Sequence, residues 1–133
     1  MYTVTAACCC WRVTTRSRKG PHDINKAAKF YSSIFGVPGK RVSQGRHYFN
    51  LGGVILACFD PKSDGDDFEL GPNPDHIYIS SDDLENLHLK VSSAGCEYIS
   101  ESSDAPWGEK LFYFNDPFHN KIAVVKKGTE FTG

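Results

Sequence analysis

The sequence predicts an α+β fold assembled from two paired βαβββ modules, and three observations carry that expectation. First, two stretches share one hairpin grammar. One runs Tyr48-Phe49-Asn50-Leu51, Gly52-Gly53, then Val54 to Phe59; the other runs Leu111 to Asn115, Asp116-Pro117-Phe118-His119-Asn120, then Lys121 to Val125. In each, an aromatic pair and an asparagine precede a turn-forming cluster, and an apolar strand follows it. Second, two helical stretches open on aspartate and close on glycine. Third, the spacing repeats: Asp23 and Asp83 lie 60 residues apart, and Gly36 and Gly95 lie 59 apart. Two copies are too few for a solenoid, so the modules must pair their sheets.

The elements follow in order. Residues 8–14, CCCWRVT, form the first strand, and the basic, polar stretch Thr15 to His22 is a loop. Asp23 caps a helix whose apolar stripe is Ala27, Phe30, Tyr31, Ile34 and Phe35. Gly36 closes it and Pro38 prevents its continuation. A strand at Lys40 to Ser43 leads into the first hairpin, 46–59. The polar stretch from Asp60 to Asp75, with three prolines and two glycines, reads as a solvated linker. Its acidic residues do not make a calcium loop, because Lys62 and Gly71 stand where an EF-hand requires ligands. His76-Ile77-Tyr78-Ile79 opens the second module. Ser81, Asp82 or Asp83 caps a helix burying Leu84, Leu87, His88 and Val91, and Gly95 ends it. Cys96 to Ser100 is a strand, Pro106-Trp107-Gly108 a loop, and the second hairpin completes the module. The predicted units are thus an N-terminal strand and basic loop (1–22), a first module (23–60, with strand 8–14), a linker (61–75), a second module (76–127) and a tail (128–133).

Composition limits the function classes. At 133 residues, with 40% hydrophobic and 23% charged content, the chain is one domain's worth and needs no covalent staples. Residues 1–20 carry four basic side chains and no acid, while the rest holds 11 basic against 16 acidic residues. That balance argues against a nucleic-acid binder. Five cysteines in odd number, without C-x-x-C spacing, argue against a disulfide framework or zinc knuckle. No run approaches the roughly 18 apolar residues of a membrane helix. The first ten residues lack the charged start and long apolar stretch of an export signal. A cytoplasmic protein in a reducing compartment is expected.

Strand alternation sorts the hairpin residues by face. If Gly52-Gly53 is a two-residue turn, Tyr48 pairs with Ala57 and His47 with Cys58. Tyr48, Asn50, Ile55 and Ala57 then share one face of the first module, and His47 points to the other. In the second module the corresponding face holds Leu111, Tyr113, Asn115, Lys121, Ala123 and Val125, with His76 and Tyr78 sharing one face of their strand. Phe49, Leu56, Phe112, Phe114, Ile122 and Val124 pack under the helices. No Ser/His/Asp triad, Cys/His pair or phosphate loop is discernible, and no catalytic residue is assigned. His76 and Tyr113 are the only proton-transfer groups in view.

The pattern of Asp23-Ile24-Asn25-Lys26-Ala27-Ala28-Lys29-Phe30-Tyr31 with Phe35-Gly36, Asp83-Leu84 with Ala94-Gly95, Pro106-Trp107-Gly108, and Asp116-Pro117 with Asn120 resembles the vicinal oxygen chelate superfamily. That superfamily includes glyoxalase I, extradiol dioxygenases, and the fosfomycin- and bleomycin-resistance proteins. The resemblance implies curled mixed sheets around a cavity, often completed across a homodimer. It also implies one divalent metal held by His or Glu from the first and fourth strands of each module. Carried over residue by residue, the third ligand position matches His76. The fourth-strand positions fall at Ala57 and Ala123, and the first-strand position has only His22 in the capping turn. One ligand of four survives, so no cofactor is expected; any divalent cation would lie near His76. The expected ligand site is His76, Tyr48, Asn50, Tyr78, Trp107, Tyr113, Ala57 and Ala123, an aromatic, mildly polar pocket for a small organic molecule. Each aromatic residue there has core packing as its alternative role, and Trp107 has a dimer contact. The resemblance therefore implies a metal-free binder in the manner of bleomycin-resistance proteins. Its alternatives are a metal-dependent lyase, isomerase, dioxygenase or thiol transferase, and a non-catalytic dimeric interaction domain.

Overall fold

Two mixed sheets, each backed by one helix, make up the protein. The computed structural model describes residues 2–4, 10–16, 22–52 and 55–129. The elements are β1 (Tyr2–Val4), β2 (Cys10–Thr14), α1 (Ile24–Phe35), β3 (Lys40–Ser43), β4 (Arg46–Asn50), β5 (Ile55–Phe59), β6 (Ile77–Ser81), α2 (Leu84–Ser93), β7 (Tyr98–Ile99), β8 (Ser103–Asp104), β9 (Lys110–Asn115) and β10 (Lys121–Lys126). The smaller sheet has the order β2-β5-β4-β3; the larger has β1-β6-β10-β9-β7, with β8 also on β9. In both, the first strand of the module runs parallel to the last, and the last pairs antiparallel with the strand before it. The βαβββ wiring is therefore used twice.

Both helices start and stop for the expected reasons. The Asp23 carboxylate accepts from the Lys26 amide at 2.9 Å, and Asp83 accepts from the Asn86 amide at 3.1 Å. Gly36 takes the left-handed conformation at φ 72°, closing α1 on the Ser32 carbonyl. The α1 stripe is buried throughout, as are Leu84, Leu87 and Val91 of α2. His88 is half-buried; its Nε2 lies 2.9 Å from the Ser100 carbonyl, and its ring stands edge-on to Phe112 at 4.8 Å.

Several expectations need correction. Strand β1, pairing antiparallel with β6, was not foreseen. The strand expected over Cys96 to Ser100 is only Tyr98–Ile99, and β8 takes up the pairing with β9 three residues further along it. The Asp60–Asp75 stretch is not simply solvated. Asp60 and Pro61 are buried, and Lys62–Asp64 forms a 3₁₀ turn. The Asp64 carboxylate accepts from Ser43 Oγ at 2.8 Å, the Gly45 amide at 2.7 Å and Arg46 Nη1 at 2.6 Å, tying the β3–β4 hairpin to the stretch. Farther on, Asn73 donates to the Arg12 carbonyl at 3.0 Å along β2. Polar composition marked a loop, but these carboxylate and amide contacts join residues too distant in sequence for local patterning to reveal. Cys8 and Cys9 of the expected first strand, Ser17 to Pro21 of the basic loop, Gly53 and Val54 of the first hairpin, and residues 130–133 of the tail lie outside the described residues.

One continuous core joins the modules. Val13, Phe49, Leu56 and Cys58 of the smaller sheet and Ile77, Ile79, Phe112, Phe114, Ile122 and Val124 of the larger sheet pack with both helices. Phe30 of α1 reaches across to Phe114, ring centroids 6.3 Å apart. The junction is completed by the Asp116–Asn120 turn, expected as a polar reversal but buried at Asp116, Phe118 and Asn120. Asp116 Oδ1 accepts from the Phe118 and Asn120 amides, each at 2.8 Å, and Oδ2 accepts from Asn120 Nδ2 at 2.7 Å and from the Tyr31 hydroxyl of α1. The Asn120 amide also grips β2, donating to the Thr14 carbonyl at 2.9 Å and accepting from the Thr14 amide at 3.2 Å. It acts there as a one-residue substitute for a neighbouring strand. Burial pushes the Asp116 carboxyl up from its ordinary value, and its four donors pull against that shift. No helix among the described residues is long and apolar enough to cross a membrane.

Two substitutions measure these ties. A Cβ at Gly45 would stand 2.2 Å from the Asp60 carbonyl oxygen, and Asn120→Ala would strand two backbone groups of Thr14. Gly45→Ala and Asn120→Ala are each expected to lower unfolding stability by about 2–4 kcal/mol. Urea denaturation midpoints check both, and an unchanged midpoint for either contradicts its role.

Candidate functional site

The registers arrange the face of each sheet opposite the helices. In the smaller sheet Tyr48 pairs with Ala57, His47 with Cys58 and Asn50 with Ile55, while Arg12 lies beside Ala57 in the parallel pair. In the larger sheet Tyr113 pairs with Ala123 and Asn115 with Lys121, while Tyr78 lies beside Ala123. The two modules therefore present the same pattern: a tyrosine, an alanine, and a first-strand residue that is Arg12 in one and Tyr78 in the other. Two residues earlier on those first strands come Cys10 and His76. Cys10 thus holds the register position of His76. Sequence reading missed this because the basic stretch after β2 displaces the first strand from its helix.

On the larger sheet His76, Tyr78, Tyr113 and Ala123 are neighbours. The His76 and Tyr113 rings meet edge to face at 5.0 Å. Tyr78 is 37% exposed, and Ala123, Leu111 and Val125 form a buried apolar floor. Burial, then the Lys121 charge, holds the His76 imidazole below its ordinary value, with Asp75 opposing. Burial, then Tyr78 and Glu109, raises the Tyr113 phenol. Trp107 is 54% exposed and donates its indole N–H to Glu109, a buried carboxylate that sequence reading did not single out. Its signal was position: Glu109, Leu111 and Tyr113 follow at alternate residues.

The smaller sheet places the rest. Tyr48 is half-buried and Ala57 fully buried. Asn50 is exposed, and its side-chain oxygen accepts from the Gly52 amide at 3.1 Å, supporting the turn. Below Ala57 the face ends in Phe59, with the Arg46 guanidinium 4.1 Å and the Arg12 guanidinium 5.8 Å from its ring centre. Among the described residues, no hydrogen bond or ring contact links Tyr48 or Ala57 with the His76–Tyr113 group.

Among the described residues the donor set does not suit a divalent cation. Among the described residues no three His, Cys, Asp or Glu side chains converge to hold one. Methyl groups occupy both fourth-strand positions, and the Lys121 charge beside His76 repels a cation. His22 lies away from the Ala57 face, its Nδ1 2.9 Å from Thr15 Oγ1 and 4.0 Å from Asp60. His119 sits in the buried turn with φ 68°, its Nδ1 within 2.7–2.8 Å of the Glu97 carboxylate.

Comparison with known proteins agrees with this fold. The model of the Glyoxalase/Bleomycin resistance protein/Dioxygenase superfamily matches residues 21–124. The chain belongs to this superfamily. Among solved structures of its members, a glyoxalase/bleomycin resistance protein/dioxygenase from Nocardioides superposes with a TM-score of 0.65 at 19% identity, covering 98% of this chain and 91% of that one. The lactoylglutathione lyase from Agrobacterium tumefaciens superposes with a TM-score of 0.63 at 18% identity, covering 92% and 94%. A glyoxalase-related enzyme from Fulvimarina pelagi gives 0.67 at 17%, covering 87% and 86%. At such identities the likeness speaks for the superfamily fold alone. No curated protein sequence matches the chain.

The electrostatics around His76 make a titration prediction. The folded chain binds the His76 proton less readily than an unfolded histidine of ordinary pKa 6.5. Its contribution to stability is therefore present above pH 6.5 and declines as pH falls below it. NMR titration is expected to place its midpoint under 6.5, and Lys121→Met to raise that midpoint by removing the repelling charge. A midpoint insensitive to Lys121 contradicts the arrangement.

Proposed function

We propose that this superfamily member is a metal-free binder of a small planar organic molecule, held by stacking and a few hydrogen bonds against the tyrosine-and-alanine faces of its sheets. The observation that carries this reading is the twice-used pairing of Tyr48 with Ala57 and Tyr113 with Ala123. Where the resembled metal enzymes place a carboxylate or imidazole, these strands carry a buried methyl group, which supplies no ligand and leaves the neighbouring tyrosine as the group offered to a bound molecule. Trp107 at the rim and Tyr78 on the adjacent strand extend the stacking surface. A thermal-shift screen with planar organic compounds is expected to give hits that Tyr113→Ala abolishes. Uniformly null results favour the interaction-domain reading instead.

A metal-dependent lyase, isomerase, dioxygenase or thiol transferase is the second reading, favoured by one observation, the shared register position of Cys10 and His76. Elemental analysis of untagged protein separates the two. The binder purifies without stoichiometric divalent metal and acquires none on soaking; retained metal overturns it.

The binder is further proposed to be a homodimer. The Tyr48–Ala57 and His76–Tyr113 groups lie on different sheets, and a second copy supplies a surface for each to face. The outer strand β3, with Val42 half exposed, is also an open edge. Light scattering at micromolar concentration is expected to report twice the 14.8 kDa chain mass. Particles of chain mass alone contradict it.

A further inference from the structure

The ligand-facing side of the larger sheet is polarised, and its polarity bears on what the site takes. Antiparallel pairing of β9 with β10 and parallel pairing of β10 with β6 stack that face in levels. One level holds Tyr113, Ala123 and Tyr78. The next level toward the start of β10 holds Asn115 and Lys121, with His76 alongside, one residue before the Ile77–Ile122 pair. This end carries an ammonium, an imidazole and a side-chain amide, with the two phenols adjoining and the exposed Asp75 carboxylate next to His76 in the chain. Lys121 is exposed and has no ion pair among the described residues. The other sheet repeats the sign, since Arg12 beside Ala57 is also exposed and meets only the Phe59 ring among described charged or aromatic groups. A buried carboxylate on the larger face, Glu109, lies at the opposite end of β9 and accepts from Trp107.

We infer that the molecule bound on this face is an aromatic carboxylate, its ring between Tyr78 and Tyr113 over Ala123 and its acid group at Lys121, His76 and Asn115. The inference rests on the proposed binding function and specifies its ligand class. A ring there lies against the partly exposed Tyr78 and Tyr113 side chains, with the buried Ala123 methyl between their strands. A carboxylate at the Lys121 level accepts from donors that otherwise face water. A cationic ligand in the same pose would meet the ammonium, and a neutral one would leave the charge without a partner.

The test is a calorimetric titration of the full chain with three matched probes: 2-naphthoate, 2-naphthamide and 2-(aminomethyl)naphthalene. It is repeated at raised salt and with Lys121→Gln and Lys126→Gln, the latter an exposed lysine farther along β10. Naphthoate is expected to bind about tenfold more tightly than the amide. That preference should shrink with salt and vanish in Lys121→Gln, persist in Lys126→Gln, and coincide with NMR shifts at Tyr78 and Tyr113. If the amide or amine binds as tightly as the acid with the same NMR shifts, the ligand class is overturned and the binding face stands. A preference that survives Lys121→Gln likewise overturns the class. If none of the probes binds or shifts those tyrosines, both the ligand class and the binding-face reading fall.

Discussion

The carboxylate of Asp116 holds the two halves of the protein in one arrangement. It is fully buried, and each of its oxygens accepts two hydrogen bonds. A carboxylate removed from water is strongly unfavourable unless its lone pairs are all occupied. The Tyr31 hydroxyl meets that demand from the first module's helix. Asn120 meets it from the second hairpin while its amide also closes on Thr14 of β2. One turn therefore links the last hairpin to β2 and to α1, each more than 80 residues before it. The arrangement is sharply specified because losing any partner leaves a buried polar group unsatisfied, whereas apolar contacts such as Phe30 on Phe114 tolerate small shifts.

With the junction set, strand periodicity divides every side chain between two surfaces. Odd and even residues of β9 and β10 go alternately to the helices and to the opposite face. Phe112, Phe114, Ile122 and Val124 join the common core, while Tyr113, Ala123 and Lys121 do not. The aromatic content is thus split between the common core and the opposite sheet face. Exposed basic side chains lie on both sheets, Lys121 and Arg12, with Asp75 opposing Lys121 at His76.

Much of the architecture was legible in the chain itself, because capping, alternation and turn chemistry are local. Asp23, Gly36 and Asp83 marked helix ends, and the Tyr48–Ala57 register followed from counting back from Gly52-Gly53. The misses were places where distant segments meet. The 60–75 stretch is polar for a solvent-facing loop and equally for one whose Asp64 anchors a neighbouring hairpin. Composition does not distinguish these. The position of Cys10 opposite Ile55 was hidden by the basic stretch between β2 and α1, which breaks the spacing that the second module keeps between His76 and Asp83.

By itself the sequence determined the two βαβββ units, their helix ends and which strand residues share a face, since each depends on neighbours within about ten positions. Only the tertiary structure decided that the Asp116–Asn120 turn is buried, that Tyr31 and Thr14 are its partners, and that β1 extends the larger sheet. It alone placed His76 against Tyr113 and Lys121. Those outcomes follow from which distant groups can satisfy one another's hydrogen bonds and charges once the core has closed, and that is a property of the packed chain, not of any window within it.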